Sequence, residues 1–260
     1  MSARAARSRR GFSAALAASA LAALARGRRP ARAAPIDAAV AEVEGPDRLR
    51  FGDGRIARLL GYVVPGDLSP APADLSRALR TKARLAELAA QGLRFEILAE
   101  DRYGRLEALA RTADGRLVAE LFVEEGLAWA WADGLPAPAG RLLLAAEERA
   151  RKARRGLWAE PALAEQDARG IAPEPIRFVV AVGEVHRIGR GALFFYLDLG
   201  PDRRSDLALR IPERAAPAFR RAGLAPERLE GKRLRVRGWL FATRGPTIET
   251  EDPLSVEVLE

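Results

Sequence analysis

The stretch RLLGYVVPGD, residues 58–67, has the pattern of a buried strand that runs into a turn. Arg58 begins the stretch and Asp67 ends it, and no side chain between them is suited to bind a metal or to move a proton. Loops and corners of this kind often carry catalytic groups. The sequence therefore poses the question of why this corner holds apolar side chains and glycine.

A second candidate group lies near the C-terminus. Arg233, Arg235 and Arg237 alternate with apolar residues, so they share one face of a strand, and Trp239 falls on the same face. Such a face is typical of surfaces that bind single-stranded nucleic acid. It is equally consistent with a solvated outer face, which the acidic residues of the next strand favour. The only histidine, His186, is expected on a strand surface and not in a catalytic role.

The N-terminal residues 1–34 have the three parts of an export signal. Four arginines precede the apolar run 12–25, and an alanine-rich end follows it. The run is too short to cross a bilayer as a helix, and SRRGF resembles a twin-arginine signal. We therefore expect a periplasmic or secreted protein with no membrane span, and the alternative is a disordered alanine- and arginine-rich leader.

The charge balance argues against a strongly basic domain. The chain has 43 basic and 35 acidic residues, and residues 1–34 contain eight arginines and no acid. Removing those eight arginines from the 43 leaves 35 basic residues, which equals the number of acidic ones. The rest of the chain therefore lacks the strong positive charge that is typical of nucleic-acid-binding domains. It also has no cysteine, so packing must stabilise it without disulfides.

Residues 35–158 combine strand and helix patterns. A Gly-Asp-Gly turn around Asp53 joins two apolar runs and predicts a hairpin. A proline-rich loop then precedes a helix over 74–91. A second hairpin is predicted around EDRYGR, and two further helices end at Gly126 and Gly156. The apolar residues of the first helix that recur at helical spacing are Leu75, Leu79, Ala83 and Ala86.

The second half of the chain has a different composition and a different pattern of apolar residues. Residues 159–175 are rich in proline, glycine and alanine, and are predicted to be a linker with little to bury. Residues 176–260 show strand patterns with one inserted helix, which suggests a small closed barrel of the OB type. The sequence predicts that residues 171–260 fold alone.

Three pieces of the first domain resemble the staphylococcal nuclease (thermonuclease) family. They are residues 49–65, 101–131 and 146–158, and they occur in the family's order. The most specific piece begins with DRYGR. The resemblance implies a mainly β fold with helices, of the α+β class. The first domain, 35–158, would be an OB-type five-stranded barrel with three helices, and a second small OB-like β-barrel would follow it.

Proteins of this family hydrolyse phosphodiester bonds in DNA and RNA with Ca²⁺. The metal needs several oxygen ligands, a base takes a proton from water, and positive donors stabilise charge on the phosphate. The resemblance implies that Asp47 keeps one metal-ligand position. It also implies that Arg58 and Arg105 keep the two phosphate-facing positions and that Tyr103 keeps a nucleotide contact.

Four positions depart from the family's pattern. Gly45 replaces an acidic residue and Arg48 replaces a threonine. Val63 stands where the second metal-binding aspartate belongs, and Gly66 stands where the general base belongs. The resemblance therefore offers a reason why the corner at residues 58–67 is apolar. The family's metal-ligand and general-base positions would have been replaced there, while the surrounding strand and turn are kept. Asp47 alone would make a poor Ca²⁺ site.

Two alternatives remain open for this altered site. Asp67 or Asp53 could supply a substitute carboxylate and so restore activity. The retained arginines could also be structural, with Arg105 fixing a hairpin and Arg58 pairing with an acid such as Asp47.

We interpret the chain as an exported nuclease-fold protein that has lost efficient hydrolysis and binds single-stranded nucleic acid or an envelope protein or polymer. The alternative is an active DNA/RNA endonuclease with a rebuilt site. No cofactor is expected unless that site is active, in which case it would use Ca²⁺. If the frame is preserved, Val63→Asp, Gly66→Glu and Arg48→Thr together should restore some Ca²⁺-dependent hydrolysis. The sequence indicates no oligomeric state.

Overall fold

A computed structural model describes residues 39–66, 72–173 and 175–259, together with two short strands at 29–30 and 35–36. The predicted export signal lies outside these residues except for Arg29–Pro30, so it stays a prediction. No helix in the described ranges is long and apolar enough to cross a membrane.

The first half of the chain forms one main sheet and a two-stranded ribbon. Its strands are β1 (Arg29–Pro30), β2 (Pro35–Ile36), β3 (Val40–Val43), β4 (Arg48–Phe51), β5 (Ile56–Leu59), β6 (Tyr62–Val63), β7 (Arg94–Glu100), β8 (Leu106–Arg111) and β9 (Trp129–Ala130). The strands β3, β4 and β5 form an antiparallel meander, and β5 runs parallel to β8. β8 is antiparallel to β7, which pairs with β2. This connectivity is that of an OB-type fold.

Three helices pack against this sheet, in the number that the sequence predicts. They are α1 (Pro72–Ala90), α2 (Val118–Glu124) and α3 (Ala137–Lys152). The core between them contains the edge-to-face ring pairs Phe51–Phe95 and Tyr62–Phe122, at centroid distances of 4.9 and 5.2 Å. Both predicted hairpins are present, as β4–β5 and β7–β8.

The predicted apolar face of α1 is wrong. Leu75 and Leu79 are 58% and 56% exposed, whereas Thr81, Leu85 and Leu88 are buried. The buried residues also recur at helical spacing, so the helix offers two apolar stripes. Contact with the sheet selects the stripe that contains Leu85, and the spacing of the leucines alone did not distinguish the two.

The second half of the chain forms a larger sheet with the same order of strands. The strands are β10 (Gln166–Asp167), β11 (Arg177–Glu184), β12 (Arg187–Arg190), β13 (Phe194–Asp198), β14 (Ala208–Pro212), β15 (Arg233–Ala242), β16 (Pro246–Glu249) and β17 (Val256–Leu259). The strands β12, β13 and β14 form a meander, β14 is parallel to β16, and β16 is antiparallel to β15. β15 pairs with β11. The predicted inserted helix is α4 (Ala216–Arg221).

β11 is second from one end of this order and β12 is at the other end, but the two strands are separated in the chain by only two residues, Val185 and His186. The Val185 amide donates to Lys232 O at 2.9 Å, and the His186 amide donates to Asp198 O at 2.8 Å. The two residues therefore link the segment that leads into β15 with the end of β13, so one continuous stretch of chain pairs with both sides of the sheet, as the first strand of an OB-type barrel does. The OB-like fold predicted for the second half is confirmed, and His186 is exposed as expected.

The segment 159–175 buries more than the sequence predicts. β10 lies in this segment and pairs with β11, while Ala168 and Ile171 are buried in the second core. Near the start of the segment, Leu163 O accepts a hydrogen bond of 3.1 Å from the Trp129 indole. The exact domain boundaries stay a prediction, but the expectation that this segment has little to bury is wrong.

An apolar cluster joins the two halves of the molecule. Phe178 on β11 lies among three tryptophans at ring-centroid distances of 5.3 to 5.7 Å. Two of them, Trp129 and Trp131, belong to the first half, and Trp239 belongs to β15. Ring pairs at these distances each contribute roughly 0.5–1.5 kcal/mol beyond the area that they bury. The two halves are therefore held together by a shared core.

This shared core changes what we expect of the second domain in isolation. A protein consisting of residues 171–260 would expose Phe178 and Trp239 to water. We expect it to melt at a lower temperature than the full chain and to bind the dye ANS, which reports exposed apolar surface. A sharp transition at the full chain's melting temperature, without dye binding, would show that the shared core contributes little.

Candidate functional site

Asp47, the predicted metal ligand, lies close to two arginines. The Asp47 carboxylate is 3.4 Å from Nε of Arg58 and 3.9 Å from Nε of Arg48. Arg48 and Arg58 are directly opposite one another on β4 and β5. Both guanidinium groups remain partly exposed, whereas Asp47 is largely buried. The immediate environment of Asp47 is therefore positively charged.

The DRYGR turn between β7 and β8 is organised by Asp101. Its carboxylate accepts hydrogen bonds from the backbone amides of Tyr103 and Arg105 at 2.8 and 3.0 Å and from Nε of Arg105 at 2.7 Å. Burial acts to raise the pKa of Asp101, but these hydrogen bonds outweigh it and hold that pKa below its ordinary value. Asp101 is therefore ionised at neutral pH and fixes Arg105.

Tyr103 lies at the tip of this turn and is 62% exposed. Arg102 lies 4.7 Å from the ring centroid and Arg105 lies 5.2 Å from it. Such cation–π contacts orient a ring without covering it completely. The turn therefore presents an exposed aromatic ring with two guanidinium groups beside it.

The sheet brings the two predicted phosphate-facing arginines close together. Ala57 of β5 is the parallel partner of Leu106 of β8, so Arg105 lies beside the start of β5. From strand geometry, Arg58 and Arg105 are about 8 Å apart at the backbone. Both side chains are partly exposed. The contacts that a structural role would require, Arg58 with Asp47 and Arg105 with Asp101, are also present.

Sequence reasoning missed Glu107. It is buried, at 3% exposure, and lies directly opposite Arg58 in the β5–β8 ladder. The signal was available, because Glu107 is the one acidic residue in the otherwise apolar run 106–110. The sheet therefore places a buried acidic residue directly beside Arg58.

The corner at residues 63–66 is buried beneath the second half of the molecule. Val63 pairs with Trp129 in the β6–β9 ribbon and packs in the same cluster as Phe178 and Val180. The cavity that remains beside the corner has a volume of about 120 Å³. Pockets that accept small-molecule ligands have volumes of roughly 300–1,000 Å³. The corner is therefore a packed interface.

Gly66 allows a tight backbone approach. Its φ is +95°, and a Cβ at this position would lie 2.4 Å from Cβ of Asp74 on α1. Asp74 in turn accepts a hydrogen bond of 2.8 Å from Arg77, which also binds Glu160. A side chain at position 66 would require both an unfavourable backbone conformation and a displacement of α1.

The described residues do not assemble an oxygen-rich cation site. No group of three histidine, cysteine or acidic residues within the described ranges could hold a metal ion. Asp53 pairs with Arg55 at the far end of β4, roughly 15 Å from Asp47 by strand geometry. Asp67 lies outside the described residues, so its role as a substitute stays a prediction.

The strip on β15 is neither of the surfaces that the sequence predicts. Arg237 is 1% exposed and forms ion pairs with Glu147 on α3 and Glu257 on β17. Arg235 is also largely buried and pairs with Glu165 at 2.6 Å. Residues of α3 and of the segment 159–175 cover this face, so most of the strip belongs to the junction between the two halves.

A comparison with protein families finds a match, which lies in the first half of the chain. Residues 76–160 match the family model described as staphylococcal nuclease homologue. The match includes Tyr103 and Arg105, whereas Asp47, Arg58 and the corner at residues 63–66 precede it. No curated protein matches the chain. This match supports a staphylococcal nuclease-like domain in the first half of the chain.

Proposed function

We propose that this is an exported nuclease-fold protein that binds single-stranded nucleic acid and has lost efficient Ca²⁺-dependent hydrolysis. One observation carries the proposal: the corner that would supply a metal ligand and a base is packed against the second half of the molecule. Val63 lies in an apolar cluster there, and Gly66 is pressed against α1.

The charges at the site support the loss of hydrolysis. Two guanidinium groups lie within 4 Å of the Asp47 carboxylate and would repel a divalent cation. Ca²⁺ takes six to eight oxygen ligands, and the described residues provide no such set. Loss of a positioned base alone typically lowers a rate by about 10²–10⁴-fold.

The same charges support the binding of an anion. Arg58, Arg102 and Arg105 are all partly or fully exposed, and the guanidinium groups of Arg102 and Arg105 lie near the exposed ring of Tyr103. Guanidinium groups bind phosphate through several parallel hydrogen bonds. An exposed tyrosine offers a stacking surface to an unpaired base. The surface therefore has the two kinds of group that bind single-stranded nucleic acid without hydrolysing it.

A binding measurement tests this function. We expect Arg58→Gln combined with Arg105→Gln to weaken the binding of labelled oligothymidylate about tenfold. The slope of log affinity against log salt should also fall by about 1.4, since each phosphate contact on a single strand contributes about 0.7.

The control removes a matched pair of arginines at the other end of the same hairpin. Arg94 and Arg111 are directly opposite one another on β7 and β8. Arg94→Gln with Arg111→Gln should leave both the affinity and the salt dependence unchanged. Equal losses in the two double variants would show that the effect is one of general charge and would contradict the proposed surface.

Export is part of the proposal and rests on the charged, acid-free leader and its short apolar run. We expect the mature protein from its native host to begin near residue 34 or 35. N-terminal sequencing checks this, and an intact Met1 on folded cytosolic protein would contradict it. Changing Arg9 and Arg10 to lysine should block export if the twin-arginine route is used.

A further inference from the structure

The second half of the molecule carries a basic pocket that the nuclease-like domain does not explain. The pocket lies where β12, β13 and the loop after β13 meet, and its volume is about 460 Å³. The charged and titratable side chains that line it are His186, Arg187, Asp198, Asp202, Arg203 and Arg204. Three guanidinium groups thus face two carboxylates, which leaves an excess of positive charge.

A buried carboxylate fixes two of these arginines. Asp198 is 5% exposed, and its Oδ2 accepts hydrogen bonds from Nε and Nη2 of Arg187 at 3.0 and 2.8 Å and from Nε of Arg203 at 2.7 Å. The guanidinium groups are nevertheless about half exposed. Asp198 uses one oxygen to hold both, so other N–H groups of the two arginines remain available to a ligand.

The loop that carries Arg203 and Arg204 is rigidly built. Asp206 is buried and accepts hydrogen bonds from the backbone amides of Gly170 and Asp202 at 3.0 and 2.9 Å. Gly200 is required for this contact, because a Cβ there would lie 2.3 Å from Asp206 Oδ2. The loop therefore holds its two arginines in place before any ligand binds, which lowers the entropic cost of binding.

Arg204 places a further guanidinium group at the pocket. The Asp202 carboxylate accepts hydrogen bonds from the Arg204 backbone amide at 2.9 Å and from the Ser205 hydroxyl at 3.1 Å. The guanidinium group of Arg204 makes no ion pair within 4 Å among the residues that the structure describes. It is thus the part of the pocket that is freest to meet an anion.

An aromatic ring lies next to the pocket. Tyr196 on β13 is directly opposite Gly189 on β12. A Cβ on Gly189 would be 3.6 Å from Nη2 of Arg203 and 3.8 Å from Cβ of Tyr196, so the arginine and the tyrosine flank the same glycine. Tyr196 is exposed, and its ring centroid lies 6.1 Å from that of Phe194. Phosphate donors and a stacking surface are therefore adjacent.

We propose that this pocket binds a phosphate group of single-stranded nucleic acid and that Tyr196 stacks on the neighbouring base. The fork of N–H groups on each arginine matches the oxygens of a phosphate. A base can reach Tyr196 only when it is not stacked in a duplex, which favours a single strand. The inference rests on the proposed function for its ligand class, but it uses a surface separate from Arg58 and Arg105.

The test is a titration of the full chain with a labelled oligothymidylate of about 12 nucleotides, a length within the range of single OB-type sites. Arg203→Gln with Arg204→Gln should weaken binding about 10- to 100-fold and lower the salt slope by about 1.4. Tyr196→Ala should weaken binding about 5- to 100-fold with no change in the salt slope.

Two further variants control for charge and for folding. Arg220→Gln with Arg221→Gln removes an adjacent pair of exposed arginines on α4 and should leave the affinity within about twofold. Arg203→Lys with Arg204→Lys keeps the charge and should retain a larger share of the affinity than the glutamine pair. Inorganic phosphate should compete for the pocket in the wild type and should compete less well in the glutamine variant.

The outcomes separate this inference from the proposed function. If Arg58→Gln with Arg105→Gln weakens binding while the Arg203 and Arg204 pair has no effect, the pocket inference is overturned and the proposed function stands. If the Arg203 and Arg204 pair alone matters, the pocket is supported and the binding role of Arg58 and Arg105 is overturned. Failure of the wild type to bind the oligonucleotide at low salt would overturn both. Preference for a duplex or for an acidic protein would overturn the assigned ligand.

Discussion

Glu147→Gln should lower the free energy of unfolding by about 3 kcal/mol and the melting temperature by roughly 6–12 °C. Glu147 on α3 is 1% exposed at its side chain and forms an ion pair with Arg237, which is equally buried. Its other oxygen accepts a hydrogen bond of 2.8 Å from the Ala130 amide. The variant would leave Arg237 buried with only Glu257 to balance its charge. Thermal unfolding of the two proteins checks this.

The matched control is the neighbouring Glu148→Gln. Glu148 is on the same helix and is 40% exposed, so its loss should cost less than about 0.5 kcal/mol. The double variant Glu147→Leu with Arg237→Met replaces both buried partners. It should lower the free energy of unfolding by less than Glu147→Gln does, because it leaves no member of the pair buried and charged. Equal melting temperatures for the Glu147 and Glu148 variants would show that the buried pair does not join the two halves.

Val63→Asp should destabilise the protein by about 3–5 kcal/mol and should not create a Ca²⁺ site. The change removes a buried apolar side chain and places a carboxylate in the cluster that contains Trp129 and Phe178. The sequence predicts that Val63→Asp, Gly66→Glu and Arg48→Thr restore hydrolysis. The packed corner and the positive φ of Gly66 lead us to expect an unstable and inactive protein instead.

Val63→Ala separates the effect of charge from that of lost packing. It should cost about 2 kcal/mol, since it removes the apolar atoms without adding a carboxylate. Both variants should be melted with and without Ca²⁺. A melting temperature of Val63→Asp that rises by several degrees in Ca²⁺, with no such rise for Val63→Ala, would show that the corner can still hold the metal.

The fold could be predicted because its signals are local. Gly-Asp-Gly and DRYGR mark hairpins through turn chemistry that does not depend on distant contacts. The Asp101 contacts now show why the second turn has that sequence. The pairing of Arg58 with an acid such as Asp47 could also be predicted, because the two residues lie at the same end of neighbouring strands.

The junction between the domains could not be predicted from the same signals. Arg235 and Arg237 alternate with apolar residues as exposed strand residues do, and their partners, Glu147 and Glu165, are distant in the chain. Burial of an arginine depends on whether such a partner is present, and local spacing does not report that. For the same reason, the resemblance could suggest that the corner at Val63 lacks the family's acid, but it could not show that the second half of the molecule covers this corner.

The proposed loss of hydrolysis is tested most directly by the cleavage of labelled single-stranded DNA by the wild-type chain in Ca²⁺ and in a chelator. We expect the DNA to be bound and to stay intact, with the same background rate in both conditions. Robust cleavage that requires Ca²⁺ and disappears in Asp67→Asn would overturn the proposed loss, because that result would place a working carboxylate one residue beyond the corner at residues 63–66.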